Sequence, residues 1–246
     1  FLVFIGLGTC VNICTIILGS TLGVLGGNRL PDRLRVLITD ILGCITLINA
    51  ADNLRSVWSP SFVNAVPKGW TTLGTLAALI LGGCLGYALH IEARLESFGL
   101  TIKSRFASRD RGSFIEGFMA ASLLFAIGPL AILGSISDGM HTGISQLVLK
   151  STLDGFAAMA FGSTFGWGVA FSAIPVGIYQ FGWTIIGYFL GNILSPYQIH
   201  SLTAVGGVML FGIGLRLLNI KMISIGDLLP ALIFAPLVAL AAHQFI

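Results

Sequence analysis

The stretch Gly155–Leu215, GFAAMAFGSTFGWGVAFSAIPVGIYQFGWTIIGYFLGNILSPYQIHSLTAVGGVMLFGIGL, decides the fold. It runs for 61 residues without one Asp, Glu, Lys or Arg. A water-soluble domain cannot present such a run to solvent, whereas a bilayer requires it. In hydrocarbon every backbone N–H and C=O must be paired within the chain, so long apolar runs become helices. At about 20 residues per crossing, this run has room for three spans.

The rest of the chain extends that reading. Charged residues make up 9% of the 246 and hydrophobic residues 55%, far from the balance of a soluble surface. The apolar runs are continuous rather than alternating, which excludes a transmembrane barrel. A net charge of +3, with no basic cluster among aromatics, gives no support for nucleic-acid binding. Cys10, Cys14, Cys44 and Cys84 lie in apolar segments without a neighbouring histidine, so they read as buried small hydrophobes rather than metal ligands. The first 28 residues carry no charge. A signal peptide would have a basic start and a shorter apolar core, so this segment reads as a span.

Charges, prolines and glycine clusters divide the chain into about eight spans: roughly 2–27, 36–51, 70–89, 114–135, 151–174, 176–195, 197–215 and 222–245. The whole of 1–246 reads as one all-α polytopic membrane domain. With alternating spans, one side receives Arg29, Arg33, Arg35, Arg94, Lys103, Arg105, Arg109, Arg111, Arg216 and Lys221. The other side receives Arg55, Lys68 and Lys150. Ten against three is a positive-inside signal that puts both termini outside the cytoplasm. Between spans three and four, a cytoplasmic connector over 91–112 places Ile91, Leu95, Phe98, Ile102 and Phe106 at helical spacing. That pattern fits either a helix lying on the membrane surface or a charged loop.

The halves, about 1–135 and 150–246, match each other in permuted order. Ser113-Phe114-Ile115-Glu116-Gly117-Phe118 aligns with Ser151-Thr152-Leu153-Asp154-Gly155-Phe156, and Gly128 then falls on Gly166. Gly19-x-x-Leu22-Gly23 aligns with Gly187-x-x-Leu190-Gly191, and Pro31 with Pro196. Spans 1-2-3-4 are thereby related to spans 6-7-8-5. Every shift is an odd number of crossings, so matched spans run in opposite directions: an inverted-topology repeat. The 32 glycines suit close helix approach, with small-xxx-small pairs such as Gly19 with Gly23 and Gly82 with Gly86.

A charge inside a bilayer costs several kcal/mol and therefore needs a reason. Glu116 and Asp154 open matched spans near opposite faces, where they read either as entry points for a cation or as first-turn acids capped by Ser113 and Ser151. Lys150, four residues before Asp154, can pair with it if the helix begins early. Asp40 and Asp227 lie one to two turns inside the cytoplasmic boundary, within reach of Arg35 or Arg216. Asn12 and Ser122 head the neutral polar groups within spans, alongside Thr39, Asn49, Ser163, Gln180 and Asn219. Gly128-Pro129 should break span four near the midplane, and Pro230 should interrupt span eight. No nucleophile–base arrangement or phosphate loop is present, so the sequence reads as no enzyme, with no cofactor and no metal site.

Several strings resemble a known family: Gly-Thr-x-x-Asn at Gly8–Asn12, Arg-Leu-Pro-Asp-Arg at Arg29–Arg33 and Lys-Ser-x-x-Asp-Gly at Lys150–Gly155. Phe211–Leu218 and the Leu-Leu-Pro-Ala of Leu228–Ala231 do the same. Together they resemble the bacterial inner-membrane family known as domain of unknown function 554, over nearly the whole chain. The resemblance implies a multi-pass protein of the bacterial plasma membrane and a transport role without an assigned substrate. It carries over no functional residues. The expected activity is that of a secondary transporter or facilitator moving a small solute or cation by alternating access, with proton or sodium coupling. The alternatives are an ion channel and a non-transporting membrane scaffold. The lipid bilayer is the expected surrounding, and a homodimer is compatible with the sequence.

Overall fold

The computed structural model describes residues 4–27, 31–106, 113–190 and 194–245. Arg29, Arg109, Arg111, Gly191 and the end of the 91–112 connector lie outside the described residues. All regular structure among those described is helical. The order is α1 (Leu7–Gly27), α2 (Asp32–Leu54), α3 (Pro60–Val63), α4 (Trp70–Ala88), α5 (Ile91–Phe106) and α6 (Ser113–Ala126). There follow α7 (Pro129–Gly139), α8 (Ser145–Phe165), α9 (Gly168–Phe171), α10 (Ala173–Leu190), α11 (Pro196–Leu217) and α12 (Ala231–His243). Short 3-10 turns at Arg55–Trp58 and Gly226–Leu228 precede α3 and α12.

Among the described residues six segments are long and apolar enough to cross a membrane: Leu7–Gly27, Val36–Trp58, Trp70–Ala88, Gly168–Phe189, Pro196–Leu217 and Gly226–His243. A seventh crossing results if α6 and α7, which meet at an angle of 62°, form one broken span. The break sits at Gly128, whose φ of +135° is open to glycine and strained for other residues. The 21-residue α8 is also long enough to cross, at 1.5 Å per residue, but it carries Lys150 and Asp154.

Two boundaries differ from the sequence reading. The fifth helix begins at Ser145 rather than near Ser151. It ends at Gly166 (φ +77°) rather than at Pro175. Pro175 is the third residue of α10, where a helix has no N–H partner to lose and tolerates proline. The cysteines also depart from expectation: Cys14, Cys44 and Cys84 are exposed on their helices. An apolar solvent accepts a thiol as readily as a protein core does.

The chain divides into two compact units. One comprises residues 1–42, 96–126 and 130–193; the other comprises 43–95, 127–129 and 194–246.

In the first unit α1 lies along α8. A side-chain carbon on Gly19, Gly23 or Gly27 would collide with the backbone of Gly155, Met159 or Ser163 respectively. Equal steps of four on both helices mean that they run parallel and in register. The glycine stripe of α1 thus brings two backbones into van der Waals contact, the close approach that small residues permit in a membrane. On another side of α1, Gly6 faces the Phe181 ring and Ile13 faces Gly177, so α10 runs antiparallel to α1. Helix α6 runs antiparallel to α8, with Phe114 at Gly168, Gly117 at Phe165, and the Phe125 ring 6.4 Å from that of Phe161.

In the second unit α4, α11 and α12 pack together. Gly82 and Gly86 of α4 lie against the backbones of Ala231 and Asp227. Helix α11 starts with a capping box, Ser195 with Gln198, and a proline in its first turn. Its Gln198 and Ser201 side chains donate to the carbonyls of Pro236 (3.1 Å) and Ala235 (2.9 Å) on α12.

Candidate functional site

Because α8 starts at Ser145, Asp154 is nine residues inside it, about 14 Å along the axis. It is therefore no first-turn acid, and Ser151 is no cap for it: the Ser151 hydroxyl donates to the Leu147 carbonyl one turn back. Lys150, one turn before Asp154 on the same face, donates its Nζ to Asp154 Oδ2. From α1, Asn12 Nδ2 donates to the same oxygen at 3.0 Å. All three side chains are buried, at 0% exposure for Asn12, 6% for Lys150 and 8% for Asp154. A lone buried charge costs several kcal/mol, whereas this pair is neutral overall and hydrogen-bonded.

Several buried polar atoms of the chain lack partners among the described residues. Thr9 Oγ1, Asn12 Oδ1, Ser122 Oγ, the Tyr179 hydroxyl and both ends of the Gln180 amide are buried without a hydrogen bond among the described residues. All five residues belong to the first unit. Each such atom costs about 1–3 kcal/mol, and native proteins hold few. The register places several of them together. Thr9 and Asn12 fall on α1 between Gly6 and Ile13, while Gln180 falls on α10 between the facing residues Gly177 and Phe181. Thr9, one turn before Asn12, and Gln180 on the facing helix are both at 0% exposure.

Asp138 is a further buried acid of this unit, at 1% exposure. Its two carboxylate oxygens accept the Gly6 N–H at 3.3 Å and the Gly8 N–H at 2.9 Å. It thereby satisfies donors at the start of α1 that have no partner inside the helix. The spans read at 114–135 and 151–174 leave Asp138 in the polar loop between them, whereas it is the penultimate residue of α7.

The other candidates are elsewhere. Glu116 is half-buried in the first turn of α6, with no hydrogen bond or ion pair among the described residues. Asp40 is exposed on α2. Ser122 lies buried in α6, Gly128 and Pro129 form the α6–α7 break, and Pro230 directly precedes α12. In the second unit, Asp227 Oδ1 accepts the Glu92 N–H at 2.9 Å. Glu92 in turn accepts from the Gly226 N–H at 2.6 Å and from Arg216 at 2.7 Å. Arg216 thus pairs with Glu92, and Asp227 and Glu92 cap each other's helices. Among the described residues no group of three His, Cys, Asp or Glu side chains gathers to hold a metal ion.

Comparison with known proteins follows the same lines. The chain is 27% identical over 241 residues to the uncharacterized membrane protein YdfK of Bacillus subtilis, covering 97% of each chain. It is 31% identical over 234 residues to the uncharacterized protein YqgA of Escherichia coli, covering 93% of this chain and 94% of that one. No solved structure matches it. The family model described as "Protein of unknown function (DUF554)" matches residues 7–240, and the chain belongs to that family.

Proposed function

We propose that this protein is a secondary transporter of a small solute or ion in the bacterial plasma membrane, with its binding site at Asn12, Lys150 and Asp154. The observation that carries the reading is a buried, neutral ion pair about halfway along a membrane-length helix, beside an Asn12 side-chain oxygen that has no partner among the described residues. Intramembrane charges are expensive and mark solute or ion pathways. Polar groups left unpaired around such a pair suit a ligand that is present for part of a cycle.

Eight crossings fit this reading: the six apolar helices, the broken α6–α7 pair, and α8, whose two charges cancel. Alternation of those crossings puts both termini outside and most Lys and Arg inside. The inverted repeat draws support from two features. A left-handed glycine, Gly128 or Gly166, interrupts or ends the helices that the repeat pairs. Each compact unit also contains both members of its matched spans. The first has α1 with α10 and α6–α7 with α8; the second has the latter part of α2 with α11, and α4 with α12. Inverted repeats exchange conformations so that one site faces either side in turn, with the solute passing unchanged.

The test is a thermal-shift screen of purified protein against ions and small metabolites. A transporter should give a selective ligand that raises Tm of the wild type and not of Asp154→Asn. A broad panel without any stabilising ligand, together with an unaltered Tm for Asp154→Asn, would favour the scaffold alternative.

A further inference from the structure

We infer that this site exchanges one monovalent cation for one proton, the proton being carried by Lys150 Nζ. The inference rests on the transporter reading and specifies its substrate class. Its starting point is the chemistry of the unsatisfied atoms. Asn12 Nδ2 is committed to Asp154, leaving Asn12 Oδ1, which can only accept, buried and without a partner among the described residues. Thr9 Oγ1, one turn before Asn12 on α1, and Gln180 Oε1, on the facing helix α10, are oxygens in the same condition among the described residues. Neutral oxygens beside a carboxylate replace the hydration shell of a hard cation.

Charge then fixes the valence and the exchange. With Lys150 protonated and Asp154 ionised, the pair has no net charge. A monovalent cation that joins them makes the site +1, which a low-dielectric interior opposes. If the Nζ–H bond breaks and the proton leaves to water on the side where the site is open, a neutral amine remains. The cation takes the ammonium's place on Asp154 Oδ2, and the site is again neutral. No electron is transferred and no other covalent bond changes. A divalent cation would leave +1, and an anion alone would leave −1. Lysine suits the role because its ammonium gives up a proton when desolvated, which arginine does not.

Neighbouring elements supply little competing charge. Helices α1 and α9 hold no charged residue, and α10 offers the hydroxyls of Tyr179 and of the exposed Tyr188. From α7, Asp138 is occupied by two backbone N–H groups, and His141 beyond it is exposed. From α6, Glu116 lies near Gly117, which faces Phe165 at the far end of α8 from Lys150.

The experiment uses full-length protein in liposomes with an imposed pH gradient read by a fluorescent dye. Sodium, potassium and lithium are added in turn as chloride and as gluconate salts. At least one cation should dissipate the gradient with either anion. Solubilised protein should release about one proton per cation bound in weakly buffered solution. Lys150→Arg, which keeps the ion pair but not the labile proton, should melt near wild type yet exchange on the order of tenfold more slowly or less. Asp154→Asn should lose exchange as well. Dissipation by none of the three cations overturns the inference, as does Lys150→Arg exchanging at the wild-type rate. Dissipation by a weak-acid anion that depends on Asp154 would overturn cation exchange while leaving the transporter reading intact.

Discussion

Asn12 of α1 and Asp154 of α8, 142 residues apart in sequence, are joined by a 3.0 Å hydrogen bond inside the first unit. The bond depends on the parallel register of the two helices, since only that register brings the first turns of α1 to the middle of α8. It also leaves Asn12 Oδ1 as an unsatisfied acceptor at the edge of the ion pair.

Asn12→Ala removes one of two donors to a buried carboxylate. A hydrogen bond to a charged group contributes about 1.5–3 kcal/mol. The variant should therefore melt lower than wild type and lose most of its stabilisation by any ligand of the site. Unfolding of the detergent-solubilised protein, with and without that ligand, measures both effects. An unchanged Tm would mean that the bond does not hold α1 against α8.

The Lys150–Asp154 pair should behave as a unit. Lys150→Met alone leaves a buried carboxylate with only Asn12 as donor, at a cost of about 3–5 kcal/mol. The double variant Lys150→Met/Asp154→Leu removes both charges and should recover most of that loss, while binding no cation. A double-mutant cycle on the same unfolding assay provides the coupling. If the double variant lost the sum of the two single effects, the pairing in the folded protein would not matter.

Much of this arrangement was legible in the sequence, and the failures have physical causes. The spacing of four between Lys150 and Asp154 shows that they share a helix face wherever a helix spans both. Their depth was not legible, because Ser151-Thr-Leu-Asp mimics a helix start and nothing local shows that α8 has already run six residues. Asp138 fell in the polar stretch between the spans read at 114–135 and 151–174. Its helix is retained because the carboxylate binds the start of α1, a partner 130 residues away. Gly128 could be placed at a break by the proline after it. Gly166 could be recognised only through the repeat, while Pro175, the more obvious punctuation, sits harmlessly in a first turn. Gln180 was one of seven neutral polar residues singled out within spans, and Thr9 stood only inside the Gly-Thr-x-x-Asn string. Their significance lies in having no partner, which only packing reveals.

Asp138→Ala should expose how α1 is anchored. The substitution strands the N–H groups of Gly6 and Gly8 next to a small cavity, a loss of about 1–2 kcal/mol of the kind seen on removing a helix N-cap. Amide exchange should accelerate first in residues 6–9, before any change in α11 or α12 of the other unit. Asp138→Asn keeps one acceptor and should fall between wild type and Ala. Uniform acceleration across both units would indicate global destabilisation and argue against a local anchor.

The glycine stripe of α1 makes a test with its own control. At Gly23 a methyl group would strike the Met159 carbonyl, and the helices would have to part. At Gly26, next to Gly27 but off the contacting face, nothing lies within 4 Å. Gly23→Ala should therefore destabilise by about 1–3 kcal/mol through overpacking. Gly26→Ala should be neutral or stabilising by up to about 1 kcal/mol, because alanine is the better helix former. Separation of α1 from α8 should also weaken the Asn12–Asp154 bond, so Gly23→Ala should reduce ligand-induced stabilisation although it lies three turns from the site. Equal Tm values for the two variants would show that α1 and α8 are not in the close parallel contact on which the site depends.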